Sequence, residues 1–98
     1  MAESILDSHI SKLTDQVEAS LKEIGHDFKA DRAEFRAYVT QQVIKLQSAA
    51  GQKGFQGALT RTRNNCLAYA IESTGKAVQQ AEFKLTLGII QGVLAVLV

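Results

Sequence analysis

From Leu6 to Ala50, apolar side chains recur at intervals of four, three and four residues, and this spacing restricts the chain more than any other feature. The series reads Leu6, Ile10, Leu13, Val17, Leu21, Ile24, Phe28, Arg32, Phe35, Val39, Val43, Leu46 and Ala50, with Arg32 its one polar member. A heptad continued from Leu6 fails the same test, because it sets Ser20, Asp27 and Asp31 in the seam. The period is therefore eleven residues over three turns, or about 3.67 per turn, which suits a straight or slightly right-handed helix pair. Large apolar residues off the stripe are few (Ile5, Tyr38, Ile44), so the stripe is narrow enough to be a packing seam between helices.

Nothing in the composition interrupts a long helix. The chain has 98 residues and no proline, and its hydrophobic fraction of 46% is that of a folded chain. Ser4 with Asp7 three residues later forms a capping signal, and the stripe then predicts one helix over about 4–50, roughly 70 Å long. Gly25 falls inside it at a cost of about 1 kcal/mol relative to alanine. The seam keeps its phase across Gly25, which favours a tolerated glycine over the alternative, a hinge at residues 25–27. The strongest breaker is "GQKGFQG", residues 51–57, with three glycines in seven.

Beyond that turn the rhythm resumes at Leu67, Ile71, Thr74, Val78, Glu82, Leu85, Ile89, Val93 and Val96, predicting a second helix over about 58–98. Asn64 or Asn65 offers a later cap, and "STGK", residues 73–76, is the point where this helix would kink. Two helices of similar length joined by a glycine turn make an antiparallel hairpin within a single all-α domain over 1–98. Pairing residue i with about 107−i brings Arg32 beside Glu72, which suggests a register-setting pair across the hairpin. The second helix also carries a face of small side chains: Cys66, Ala70, Thr74, Ala77, Ala81, Gly88 and Gly92. Gly88-x-x-x-Gly92 within an apolar stretch is an arrangement that lets helix backbones approach closely.

Catalytic chemistry has little to work with. Glu23-x-x-His26 has a spacing used by carboxylate-bridged metal bundles, but no clear second set of ligands accompanies it. His9 is isolated, Gly75-Lys76 lacks the rest of a phosphate loop, and the lone Cys66 has no histidine near it in sequence. No nucleophile, base and orienting group come together, so the expectation is a non-enzymatic protein without metal or cofactor. A single cysteine and the absence of an apolar leader point to the cytoplasm or an assembly made there.

Charge is unevenly spread. Residues 1–31 hold seven acids against three bases, whereas residues 32–63 hold six bases against one acid. In a hairpin the turn end (Lys53, Arg61, Arg63) becomes basic and suited to an acidic partner, though no aromatic-and-basic surface supports nucleic acid.

The closing "LTLGIIQGVLAVLV", residues 85–98, holds no charge, and a two-helix hairpin leaves much of it wet. Copies of the same chain, assembling into a multi-helix bundle or larger oligomer, would cover it. The sequence therefore suggests a self-assembling structural or adaptor protein. Its rival is membrane association through residues 83–98, which at about 21–24 Å fall short of the roughly 30 Å hydrocarbon core.

Overall fold

The apolar stripe forms a helix, but that helix stops at Gly25. In the computed structural model, which describes residues 5–72 and 81–98, α1 spans Ile5–Glu23 and α2 spans Arg32–Ala49. The continuous helix expected over 4–50 is thus two helices. The reason is a terminator written into the sequence. Gly25 takes φ +82°, its N–H bonds to the Lys22 carbonyl at 3.1 Å, and the His26 N–H reaches back to the Leu21 carbonyl at 2.8 Å. That pair of bonds satisfies the orphan carbonyls of the last turn and ends the helix on a left-handed residue.

Restarting is equally local. Asp31 is extended (φ −64°, ψ 132°) and its carboxylate accepts from the Glu34 N–H at 3.0 Å, an N-cap with Glu34 as the acid of the first turn. Between the two caps the chain is held by tertiary bonds: the Lys29 and Ala30 N–H groups both donate to the Ala70 carbonyl, at 2.9 and 3.1 Å.

The glycine turn lies where the sequence puts it but is shorter. Gly51 (φ +79°) and Gly54 (φ +89°) bound it, and α3 begins at Phe55, running Phe55–Ala70 with Gly57 inside it. The second long helix is also divided. After Ala70, the Glu72 backbone turns left-handed (φ +51°), and α4 starts only at Lys84, spanning Lys84–Leu97. Ser4, the 73–76 kink, Thr74, Ala77 and Val78 lie outside the described residues.

The four helices form a closed ring of neighbours: α1 packs on α2 and α4, and α3 packs on the same two. Polar contacts give their directions. Ser20 late in α1 meets Thr86 early in α4, Arg32 at the start of α2 meets Asp15 and Glu18 of α1, and the end of α3 receives Lys29 and Ala30. The chain therefore runs up, down, up and down, with the ends of α1 and α3 and the starts of α2 and α4 at one pole. Its longest extent is 37 Å and its radius of gyration 13.0 Å, so the 70 Å rod expected from the hairpin is replaced by a globule.

The core is built from all four elements. Ile10, Leu13, Val17 and Leu21 of α1 face Phe35, Val39, Val43 and Leu46 of α2, Leu59, Cys66, Leu67 and Ala70 of α3, and Leu87, Ile90 and Leu94 of α4. Burial of each large side chain contributes about 1.5–3 kcal/mol. Phe28 meets Phe35 edge-on at 5.4 Å, and Tyr38 stacks on Tyr69 at 4.4 Å, closing the α2–α3 side. Buried polar side chains are matched: Ser20 and Thr86 share a hydrogen bond of 2.7 Å, and Thr14 donates to the Ile10 carbonyl at 2.8 Å. Among the described residues no buried side-chain nitrogen or oxygen lacks a partner.

Candidate interaction surface

α4 has a 14-residue helix with one charged residue, Lys84 at its first position. Its inner face, Thr86, Leu87, Ile90 and Leu94, is buried in the bundle. Its outer face is also apolar. Leu85 is 59% exposed and Val96 71% exposed; Gly88 and Gly92 lie open between them, with Ile89 and Val93 half-buried at the margin. A Cβ built on Gly88 or Gly92 would meet nothing within 4 Å, so nothing in the described residues asks for glycine at either position. A groove of about 400 Å³ borders this face, where Leu85 and Ile89 adjoin Gln16, Ala19, Ser20 and Glu23 of α1. The opposite margin is polar: Arg63 Nη1 donates to Gln91 Oε1 at 2.6 Å, tying α3 to α4.

Most of the residues singled out in the sequence are either buried or exposed. Of the seam, Ile10, Leu13, Val17, Leu21, Phe35, Val39, Val43 and Leu46 are buried, Leu6 and Phe28 are half-buried, and Ile24 is 41% exposed beside Gly25. Of the small residues, Cys66 and Ala70 are buried in α3, whereas Ala81, Gly88 and Gly92 are exposed. They do not line one face, because α3 and α4 are separate helices. Ala77 lies outside the described residues.

Arg32 does not meet Glu72. Its guanidinium spans Asp15 and Glu18 of α1, at 3.2 Å from Glu18, because the break at Gly25 folds α2 back onto α1. Glu72 instead borders a depression of about 530 Å³ between α2 and α3, with Asp31, Glu34, Asn65 and the two stacked tyrosines. Its three carboxylates all face water.

His26 was legible as half of a Glu-x-x-His spacing; its partner is Glu82, not Glu23. His26 Nε2 lies 2.6 Å from Glu82 Oε1, and its ring tilts against Phe83 at 4.9 Å, joining the α1–α2 connection to the start of α4. Among the described residues no three histidine, cysteine or acidic side chains gather as metal ligands would. Cys66 is wholly buried, and burial pushes its thiol up to about 12. Of the basic turn residues, Lys53 and Arg61 are exposed, while Arg63 is engaged with Gln91 and Asn64.

Among the described residues, no helix is long and apolar enough to cross a membrane. No protein-family model matches the chain, and comparison with curated proteins and with solved structures finds no match.

Proposed function

We propose that this chain is a non-enzymatic structural or adaptor protein that acts through helix-to-helix contact and self-assembles through the outer face of α4. The observation that carries the reading is the exposure of Leu85 and Val96 around Gly88 and Gly92, on a helix with a single charge. Most of the apolar surplus that the sequence presents is covered within the chain by the four-helix ring. Among the described residues, Leu85 and Val96 are the two exposed large apolar side chains that share one helix, and an apolar strip of this kind favours a partner over water. The other exposed large apolar residues, Ile5, Ile24 and Ile44, sit singly on other elements and ask for nothing further.

A lipid surface is the rival occupant of the same strip. Fourteen residues of α4 reach about 21 Å, short of the roughly 30 Å hydrocarbon core, so the strip would lie on a bilayer and not span it.

Light scattering on the full chain across a concentration series tests the proposal. The expected result is a mass that rises above 10.7 kDa with concentration. Leu85→Lys with Val96→Lys should hold the mass at the monomer while leaving the circular-dichroism spectrum unchanged, because both side chains already face solvent. A wild-type chain that remains monomeric up to millimolar concentration would remove self-assembly.

A further inference from the structure

The outer face of α4 carries its own complement. Its exposed and margin positions Leu85, Ile89, Gly92 and Val96 follow the four-three-four spacing of a helix seam. Set against a second copy running the opposite way, with residue i level with 181−i, Leu85 meets Val96 of the other copy and Ile89 meets Gly92. The two central layers then each place a β-branched side chain over a glycine that, among the described residues, has nothing within 4 Å of its Cβ position. The two outer layers each pair a Leu with a Val. In the two central layers a large residue faces a small one, which is the condition for close interdigitation.

Building on the self-association proposed above, we infer that α4 pairs with α4 of a second copy, antiparallel and in this register, about a two-fold axis between residues 90 and 91. Charge selects the direction. A parallel pair would set the two Lys84 ammonium groups side by side at an interhelical spacing of roughly 8–10 Å and align the two helix dipoles. The antiparallel pair moves each Lys84 level with residue 97 of its partner, about 20 Å from its twin. It also opposes the dipoles. A two-fold contact of this kind is isologous, so it closes at the dimer and does not propagate.

The footprint is small. Two helices of about 21 Å bury less than the roughly 1,200 Å² of a standard stable interface, so the dimer is expected to be weak, micromolar or above, and to dissociate on dilution.

The direction and register are read by disulfide trapping. Leu85→Cys chains and Val96→Cys chains are mixed equally at several hundred micromolar, oxidised mildly and mapped by mass spectrometry, with light scattering on the same sample. Cys66 is fully buried and stays in place; only bonds between positions 85 and 96 are scored. Bonds joining 85 to 96 should predominate at least fivefold. Bonds joining 85 to 85 would overturn the antiparallel register while leaving self-assembly standing. An oligomeric mass without bonds at either position would take the interface away from α4. A monomeric mass without such bonds would overturn both this inference and the reading it rests on. The same holds if the monomer floats with phosphatidylcholine–phosphatidylglycerol vesicles, which would give the face to lipid.

Gly92→Leu supplies an independent check. Among the described residues the position is open, so the variant should fold, but its new side chain occupies the place of Ile89 of the other copy. Association should weaken at least tenfold without a fall in thermal midpoint; unchanged association would overturn the register.

Discussion

Two left-handed residues end two helices, and only one of them is glycine. At Gly25 the φ of +82° carries no penalty, whereas Glu72 at φ +51° holds a β-carbon in a region that disfavours it. Replacing Gly25 with Ala should therefore lower stability by about 1 kcal/mol, and replacing Glu72 with Gly should raise it by about 0.5–1 kcal/mol, both read from urea midpoints. Cys66 makes a prediction of a different kind. Its folded thiol is pushed from an ordinary 9.0 up to about 12 by burial, so between those values the unfolded chain loses a proton that the folded chain keeps. The stability this contributes is fully present below pH 9.0 and declines as the pH rises toward about 12. A Cys66→Ala variant should lose that part of the slope in an alkaline denaturation series. At pH 8 the folded thiol should also carry about a thousandfold less thiolate than the unfolded one and resist alkylation accordingly.

Among the elements, α1 and α4 are joined by a hydrogen bond that crosses the core between two side chains. Ser20 and Thr86 share a 2.7 Å bond, and both are buried although neither lies on the apolar stripe of the sequence. Ser20→Ala or Thr86→Val alone leaves the other hydroxyl buried without a partner, at about 1–3 kcal/mol. The double variant should cost clearly less than the sum, since both polar groups leave together. Additive losses in a thermal or chemical unfolding cycle would show that the two hydroxyls do not depend on each other. Arg32 behaves differently. Its pairs with Asp15 and Glu18 are solvent-exposed, so Arg32→Leu should change stability by no more than about 1 kcal/mol.

For the whole molecule, the distinction between a rod and a ring decides what surface remains. A 70 Å hairpin has a radius of gyration of about 20 Å, whereas the four-helix globule has 13.0 Å. Small-angle scattering at low concentration should give a value near the smaller one, and a value near 20 Å would restore the hairpin. In the globule α2 and α3 cover much of what a hairpin leaves wet, and the outer face of α4 is what they do not reach. The candidate surface is thus narrower than the apolar run suggests: Thr86, Leu87, Ile90 and Leu94 are buried in the core of their own chain.

Much of this was legible locally. Helical class followed from a proline-free chain with helical spacing of apolar residues, and the turn at Gly51–Gly54 from its glycines. The stop at Gly25 and the restart at Asp31 with Glu34 were present too, as a C-terminal glycine followed by an N-cap. They were masked because the apolar phase runs on across them, and phase alone does not distinguish one long helix from two that share a core. The sequence by itself determined which residues seek burial and where the backbone is free to turn. Only the tertiary structure decided that the chain turns there, because the bonds that fix the first connection, from Lys29 and Ala30 to Ala70, join residues about forty apart in sequence. The same closure decided which side of α4 faces inward. An all-round apolar helix has no preferred face until its neighbours are in place.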